Sequence, residues 1–222
     1  MKFDILTIFP ESLNSYFNSS ILARAQKNKI IDINTHDIRE QSIDKRKTVD
    51  DTPYGGGPGM VIQIEPVYKT IKKIYKRKNK NTRVILLSPR GQTLNQNEVK
   101  RLAKYKRLIL IAGHYEAIDA RIDNFIDEKI SLGNFVLTGG ELATACIVDS
   151  VARLVPGVVG KEESVLEESF SEYDKQSQEF NIEYPQYTRP ENFKGYKVPV
   201  VLLSGHHGEI KKWRQSQSKR RK

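Results

Sequence analysis

One cysteine, Cys146, stands in the whole chain of 222 residues, so no internal disulfide can form and a disulfide-framed secreted module is excluded. Four histidines beside it leave little for a structural zinc site. No apolar run reaches the roughly 18 residues that cross a bilayer; the longest, Leu108 to Ala112, is strand-sized. Met1 to Leu6 runs straight into strand-like pattern, without signal-peptide anatomy. These absences predict a soluble, cytoplasmic protein with no membrane partner. Repeats and low-complexity tracts are absent, as are the dinucleotide fingerprint and the Walker loop. That argues against a nicotinamide enzyme and a P-loop NTPase.

What is present is size and positive charge. A chain this long makes one large domain or one domain with an appendage, and needs no staple to hold its core. Its formal charge is +10, from 37 basic and 27 acidic residues, which favours a polyanionic partner and says nothing about fold. The basic residues cluster. Tyr68 to Arg83 carries eight lysines and arginines and no acid, and Lys211 to Lys222 carries seven and no acid, with Trp213 inside. Each cluster alone reads as a solvated face or a ragged tail. Together they favour nucleic acid.

Short apolar runs alternate with helical patterns. Phe3 to Phe9 reads as a strand stopped by Pro10, and residues 12–27 as a helix with Ile21 and Leu22 inward. Lys29 to Asn34 alternates as a strand does. Pro66 suits the first position of a helix along which Val67, Ile71 and Ile74 recur. Arg83 to Ser88 is a strand, Thr93 and Gln96 are spaced as a capping box, and Val99, Leu102 and Ala103 mark the helix face behind it. Arg107 to Ala112 is a further strand, and Ile118, Ile122, Phe125 and Ile126 a further apolar stripe. Lys129 to Leu137 is extended, and Glu141 to Leu154 is an apolar helix stopped by Pro156-Gly157, with Cys146 expected as a small core residue. This alternation predicts an α/β fold, a mostly parallel sheet with helices on both faces. After Gly160 the chain turns polar. A main domain is placed at 1–160, a linker at 161–187 and a small helical C-terminal part at 188–222, with a basic helix around Trp213.

Glycines sit at strand ends, where they permit close approach of backbone to a ligand. Ligands bind at the carboxyl ends of parallel strands. Ser88-Pro89, Gly113-His114-Tyr115-Glu116 and Leu137-Thr138-Gly139-Gly140 each read equally as a tight turn; converging, they would form one pocket. His206-His207 carries no metal assignment, since neither Asp nor Cys lies at ligand spacing. A surface ion pair is the plain reading of Arg153 and Glu168.

Six blocks carry a resemblance. They are Asp50-Asp51-Thr52-Pro53-Tyr54-Gly55-Gly56-Gly57-Pro58-Gly59-Met60, Gly113-His114-Tyr115-Glu116-Ala117-Ile118-Asp119-Ala120-Arg121, Gly133 to Leu142, Asp149 to Val158, Tyr184-Pro185-Gln186-Tyr187-Thr188-Arg189-Pro190 and Pro199 to His207. In this order and spacing the chain resembles the bacterial tRNA (guanine-N1)-methyltransferases of the SPOUT superfamily, from the first strand to Trp213. The resemblance implies a parallel α/β sheet with a deep trefoil knot, a homodimer with a shared active site, and methyl transfer from S-adenosylmethionine to N1 of guanine at tRNA position 37, next to the anticodon. It implies that the methyl donor lies against Leu87, Ser88, Pro89, Gly113, Tyr115, Glu116, Leu132, Gly133, Asn134, Phe135, Val136, Leu137, Gly139 and Gly140. It puts Arg153 at the charge-stabilising arginine and Glu168 at the position of the general base, with Asp50 and Arg189 holding tRNA. Family activity is promoted by magnesium, for which no ligand cluster stands in the sequence.

The chain departs from the family at Glu168, where aspartate is usual, at Ala117 for glycine, Asn134 for aspartate and Ala143 for proline, and in a longer segment between Phe170 and Tyr184. Glu167 is the neighbour open to confusion with Glu168. The alternatives left open are another SPOUT enzyme acting on ribose or rRNA, and an inactive RNA-binding homologue.

Overall fold

The computed structural model describes residues 1–160, 168–171, 173–174 and 179–221. Glu167 and much of the expected linker lie outside them. The chain forms two compact units, Met1–Gly160 and Lys161–Lys222.

The first unit is built on five parallel strands, β1 (Lys2–Thr7), β2 (Asp32–Asp37), β5 (Thr82–Thr93), β6 (Arg107–Ala112) and β8 (Glu128–Ser131), in the order β2-β1-β6-β5-β8. The inner strands are apolar at almost every position because both faces are covered. Phe3, Ile5, Ile85, Leu87, Leu108 and Leu110 pack on one side with Phe17, Leu22, Leu102, Ile147 and Val148. These come from helices α1 (Asn14–Phe17), α2 (Ser20–Lys27), α4 (Gln96–Leu102) and α5 (Glu141–Ala152). Leu6, Val84, Leu86, Ile109 and Ile111 pack on the other side with Val67 and Ile71 of α3 (Ile64–Ile74) and with Ile118 and Ile122. A small sheet joins β3 (Asp50–Asp51), β4 (Val61–Ile62) and β7 (Ala117–Ile118), and so ties the glycine loop 55–59 to the segment after β6.

Local chemistry explains where the sequence pattern misleads. Residues 12–27 are not one helix. Ser19 is extended and Ser20 left-handed at φ 48°, while the Ser19 hydroxyl donates to the Tyr16 carbonyl, as short polar side chains do when they compete with a helix. After that break Leu22 is buried and Ile21 turns outward. Pro66 is the third residue of α3, not the first. Helix α4 is capped by Asn95, whose Oδ1 accepts from the Glu98 amide at 3.1 Å, and not by Thr93. Strand β2 starts at Asp32 rather than Lys29, whose φ of 57° ends the preceding turn. The stripe 118–126 gives only a short strand and a 3₁₀ turn at Ala120–Asn124. Cys146 is exposed on α5; local desolvation and the Asp149 carboxylate push its thiol up, which favours the unreactive protonated form.

At the start of the sheet a charged cluster is buried. The Asp4 carboxylate is fully enclosed, 2.7 Å from His36 Nε2 and 2.7 Å from Arg107 Nε. Burial raises its pKa, but the bonds from His36 and Arg107 outweigh that and hold it below the usual carboxylate range. Removing one partner of such a cluster leaves a buried uncompensated charge. Asp4→Asn is therefore expected to cost about 3 kcal/mol and to lower Tm by about 6–12 °C. A depressed carboxylate stabilises above its unfolded pKa and loses that contribution as pH falls through its folded pKa. Melting curves should thus show the wild-type advantage at neutral pH and its disappearance below about pH 4.

The second unit holds β9 (Tyr173–Asp174), β10 (Glu179–Ile182), β11 (Asn192–Phe193), β12 (Tyr196–Lys197) and β13 (Lys219–Arg221), with helices α6 (Val200–Leu203) and α7 (His207–Gln217). β9, β10 and β13 make an antiparallel sheet. β11 and β12 form a hairpin whose two loop residues, Lys194 and Gly195, both have positive φ, matching the twist of paired strands.

Candidate active site

The carboxyl ends of β5, β6 and β8 enclose a pocket of about 300 Å³. Its first wall is made by an irregularity in β5. Leu87 and Gln92 both pair with Ile130, so residues 88–91 loop out of the ladder between them. Pro89, which cannot donate to a ladder, sits in that outward loop. Gly91 closes it, since a Cβ there would lie 2.5 Å from the Ile130 amide nitrogen and 2.5 Å from the Lys129 carbonyl carbon. The result points Ser88, Pro89 and Arg90 into the pocket.

The second wall follows β6. Tyr115 is left-handed at φ 59°, a conformation that costs a non-glycine residue about 1–2 kcal/mol and is common where backbone is held for function. The Glu116 amide donates to the Met60 carbonyl at 3.1 Å, and a Cβ at Gly59 would collide with the Glu116 side chain at 2.6 Å. The 50–60 block therefore positions Glu116.

The third wall is the turn into α5. The Gly140 amide donates to the Gly113 carbonyl at 2.7 Å, and a Cβ on Gly140 would meet Ala112 Cα and the Gly113 nitrogen, both at 2.8 Å. Only glycine lets this turn lie on the end of β6. Behind it, Thr7 Oγ1 donates to Glu141 Oε1 at 2.7 Å. The other Glu141 oxygen lies 3.6 Å from His114 Nδ1, the one buried side-chain nitrogen or oxygen among the described residues without a hydrogen-bond partner.

Twelve of the residues singled out from sequence line this pocket: Leu87, Ser88, Pro89, Gly113, Tyr115, Glu116, Leu132, Phe135, Val136, Leu137, Gly139 and Gly140. Gly133 and Asn134 do not. Arg90 and Ala143 line it without having been named for it, beside His114 and Thr138, which stand in the turns expected to form it. Neither Arg90 nor Ala143 lies within the quoted blocks, and their nearness to Pro89 and to the Gly139-Gly140 turn was the available signal. Thr7 was legible only as part of the first strand, and Glu141 as the start of a helix within a quoted block.

Arg153 is the exposed residue that ends α5. It borders a different hollow, with Tyr16, Ile21, Leu22 and Asp149. The Tyr16 hydroxyl donates to Asp149 Oδ2, and that bond pushes the phenol up to about 12. Asp50 lies on β3, beside a third hollow with Gln63 and Met60. In the second unit, Glu168 is half-buried in a turn where its carbonyl accepts from the Ser171 amide at 3.0 Å and from Asn181 Nδ2 at 3.2 Å. Arg189 is exposed. Just before it, Tyr184 and Tyr187 contact Trp213 with ring centroids 6.4 and 6.2 Å apart.

Over residues 1–222 the chain matches the family described as tRNA (Guanine-1)-methyltransferase TrmD. A relative from Clostridium botulinum (strain Alaska E43 / Type E3) is 52% identical over 218 residues, 98% of this chain and 87% of that protein. One from Clostridium acetobutylicum is 52% identical over 218 residues, 98% of this chain and 86% of its own length. One from Clostridium novyi (strain NT) is 53% identical over 220 residues, again 98% and 86%. All three are named tRNA (guanine-N(1)-)-methyltransferase.

Proposed function

The chain belongs to the tRNA (guanine-1)-methyltransferase family, and on that premise we propose that it methylates N1 of guanine 37 in tRNA with S-adenosylmethionine as donor. It is a tRNA (guanine-N1)-methyltransferase; the position and the donor are our reading. One observation carries it: three turns distant in sequence enclose a single pocket at the carboxyl ends of the strands, in a chain about half identical to enzymes of that name.

The residues present suit the donor. Leu87, Ile118, Leu137 and Ala143 offer apolar surface for a flat ring, and the close turn at Gly140 leaves backbone groups to meet adenine and ribose. The Glu116 carboxylate suits a cationic amino group. Bound there, S-adenosylmethionine supplies an electrophilic methyl group on a sulfonium. The chain's own task is then mostly positioning. Guanine N1 carries a proton, so a general base is required, and Glu168 takes that proton on a carboxylate oxygen. As it leaves, negative charge grows on the neighbouring guanine oxygen, and the Arg153 guanidinium stabilises it. Asp50 and Arg189 hold tRNA, the linker 161–187 serves the target base, which must leave its stack for chemistry, and the part 188–222 contacts the tRNA.

We propose a homodimer that completes the active site. Its support is an outward face on the first unit. Leu142, Cys146 and Asp149 recur along α5, with Leu142 62% exposed, and Asp149 is joined to Tyr16 and borders the exposed Ile21. A trefoil knot in the first unit is part of the same proposal and rests on the family alone. Among the described residues no helix is long and apolar enough to cross a membrane, and a cytoplasmic site of action follows from the substrate. Magnesium receives no ligand set in this reading.

The deciding experiment is methyl transfer to a tRNA transcript with guanine at positions 36 and 37, with the product mapped. Methyl on N1 of guanine 37 is expected; label on ribose, on rRNA alone, or nowhere overturns the reading. Phosphate contacts from the two basic clusters should make tRNA affinity fall at least tenfold between about 50 and 200 mM salt. A flat salt response would remove those clusters from the interface.

A further inference from the structure

A further hollow lies on the first unit, at the starts of β5 and β8, whereas the cofactor pocket lies at their ends. Its volume is about 180 Å³, below the range of pockets that enclose a whole cofactor. Aromatic rings wall it. Tyr68 and Phe125 meet at 4.6 Å between centroids with their planes tilted by 54°, and Phe125 is 42% exposed. Tyr75 adds a third ring, held in place where its hydroxyl accepts from the Asn79 amide at 2.7 Å. Tyr68 and Lys72 lie one turn apart on α3, and Tyr75 and Lys76, just past its end at Ile74, complete the wall.

Charge accounting separates this hollow from an ordinary basic surface. Four cations of the 68–83 cluster are neutralised: Lys69 by Glu65 at 2.8 Å, Lys73 by Glu40 at 3.1 Å, Lys78 by Asp127 at 2.7 Å and Arg83 by Glu128 at 2.6 Å. The other four, Lys72, Lys76, Arg77 and Lys80, have no acid partner among the described residues. Lys72 and Lys76 line the hollow itself, with the Lys72 ammonium 5.6 Å from the Tyr68 ring centre. Asp127, the one acid in the wall, is already engaged by Lys78 and by the Val84 amide at 2.9 Å, so the wall holds no unengaged carboxylate.

We propose that this hollow is a second RNA subsite that takes one unpaired nucleotide of the tRNA, away from the target guanine. The base stacks on the exposed Phe125 ring beside Tyr68, and Lys72 and Lys76 meet its flanking phosphates. Stacking on aromatic side chains with cations along the backbone is how proteins hold single-stranded nucleic acid without reading its sequence. An acidic peptide would use the lysines but leave the ring faces unused. The proposal rests on tRNA being the substrate.

The test uses the full chain and the same tRNA transcript, with affinity measured by fluorescence anisotropy across a salt series. Lys72→Ala with Lys76→Ala should reduce the slope of log affinity against log salt by about 1.4–1.8, the share of two phosphate contacts. Phe125→Leu keeps an apolar side chain and removes the ring face. It should weaken tRNA binding about tenfold, Phe125→Trp should restore it, and S-adenosylmethionine affinity should hold throughout. A transcript carrying 4-thiouridine should cross-link within residues 124–127. Variants that keep the wild-type slope, the wild-type KM for tRNA and the cross-link elsewhere would overturn the subsite while the methyltransferase reading stands. So would polyglutamate competing as well as unlabelled tRNA. A wild-type chain that neither binds nor methylates tRNA would overturn the reading of function and the subsite with it.

Discussion

Glu168→Gln is expected to lower the rate of methyl transfer by about 10²- to 10⁴-fold, the usual contribution of a positioned general base, while S-adenosylmethionine binds as before. The substitution keeps the shape of the side chain and removes its ability to accept a proton. The surroundings support a fixed origin for that side chain, because the Glu168 carbonyl is held by both the Ser171 amide and Asn181. Glu168→Asp restores the residue usual in the family but retracts the carboxylate by about a bond length. Displacement of about 1 Å can cost 10²-fold, so the aspartate variant should fall between the wild type and the glutamine variant. Glu167→Gln is the control and should leave the rate near wild type. Single-turnover kinetics on a tRNA transcript separate these outcomes from effects on product release. Equal rates for Glu168→Gln and wild type would remove Glu168 from the chemistry and favour a reaction that needs no base at a ring nitrogen.

The second large effect is expected at the turn into α5. Gly140→Ala puts a methyl group 2.8 Å from Ala112 Cα and 2.8 Å from the Gly113 nitrogen. Both are backbone atoms of the end of β6, inside the core, and cannot move aside. Overpacking of this kind costs about 1–3 kcal/mol, and it must shift the pocket wall that Gly139 and Gly140 form. Calorimetric titration should therefore show S-adenosylmethionine affinity reduced at least tenfold, with a lowered Tm. Gly113→Ala is the informative contrast. Its Cβ would meet Ile118 at 3.7 and 3.9 Å, ordinary contact distances, so the fold should tolerate it. A stable Gly113→Ala protein that still loses cofactor affinity would show that the ligand occupies the space beside residue 113. Full affinity in both variants would mean that the donor binds elsewhere.

Much of the architecture was legible without coordinates. Continuous apolar runs such as Leu108 to Ala112 can be covered only from both sides, which dictates a parallel sheet between helix layers. The apolar length of α5 and the turn chemistry at Pro156-Gly157 marked the end of that helix. The ordered blocks of glycine and polar residues identified the family, and with it the chemistry, because their spacing is set by the ligand and substrate they meet. Patterning failed where a single polar side chain competed with the backbone, as at Ser19, and where a strand continued through a proline, as at Pro89. Periodicity is a sum over many residues and is blind to one hydrogen bond or one outward loop.

Only the tertiary structure decided which distant residues share a wall. That Gly140 rests on Ala112, that Thr7 reaches Glu141 across 134 positions, and that Gly59 makes room for Glu116 are facts of packing. So is the division of one basic stretch into four neutralised cations and four without an acid partner among the described residues, two of which line a hollow walled by aromatic rings. The amino-acid sequence by itself determined the layers, the family and the reaction, since these follow from composition, periodicity and motif order. Register, close approach and charge pairing had to wait for the fold, because each depends on the separation of atoms that the chain places far apart and only packing brings together.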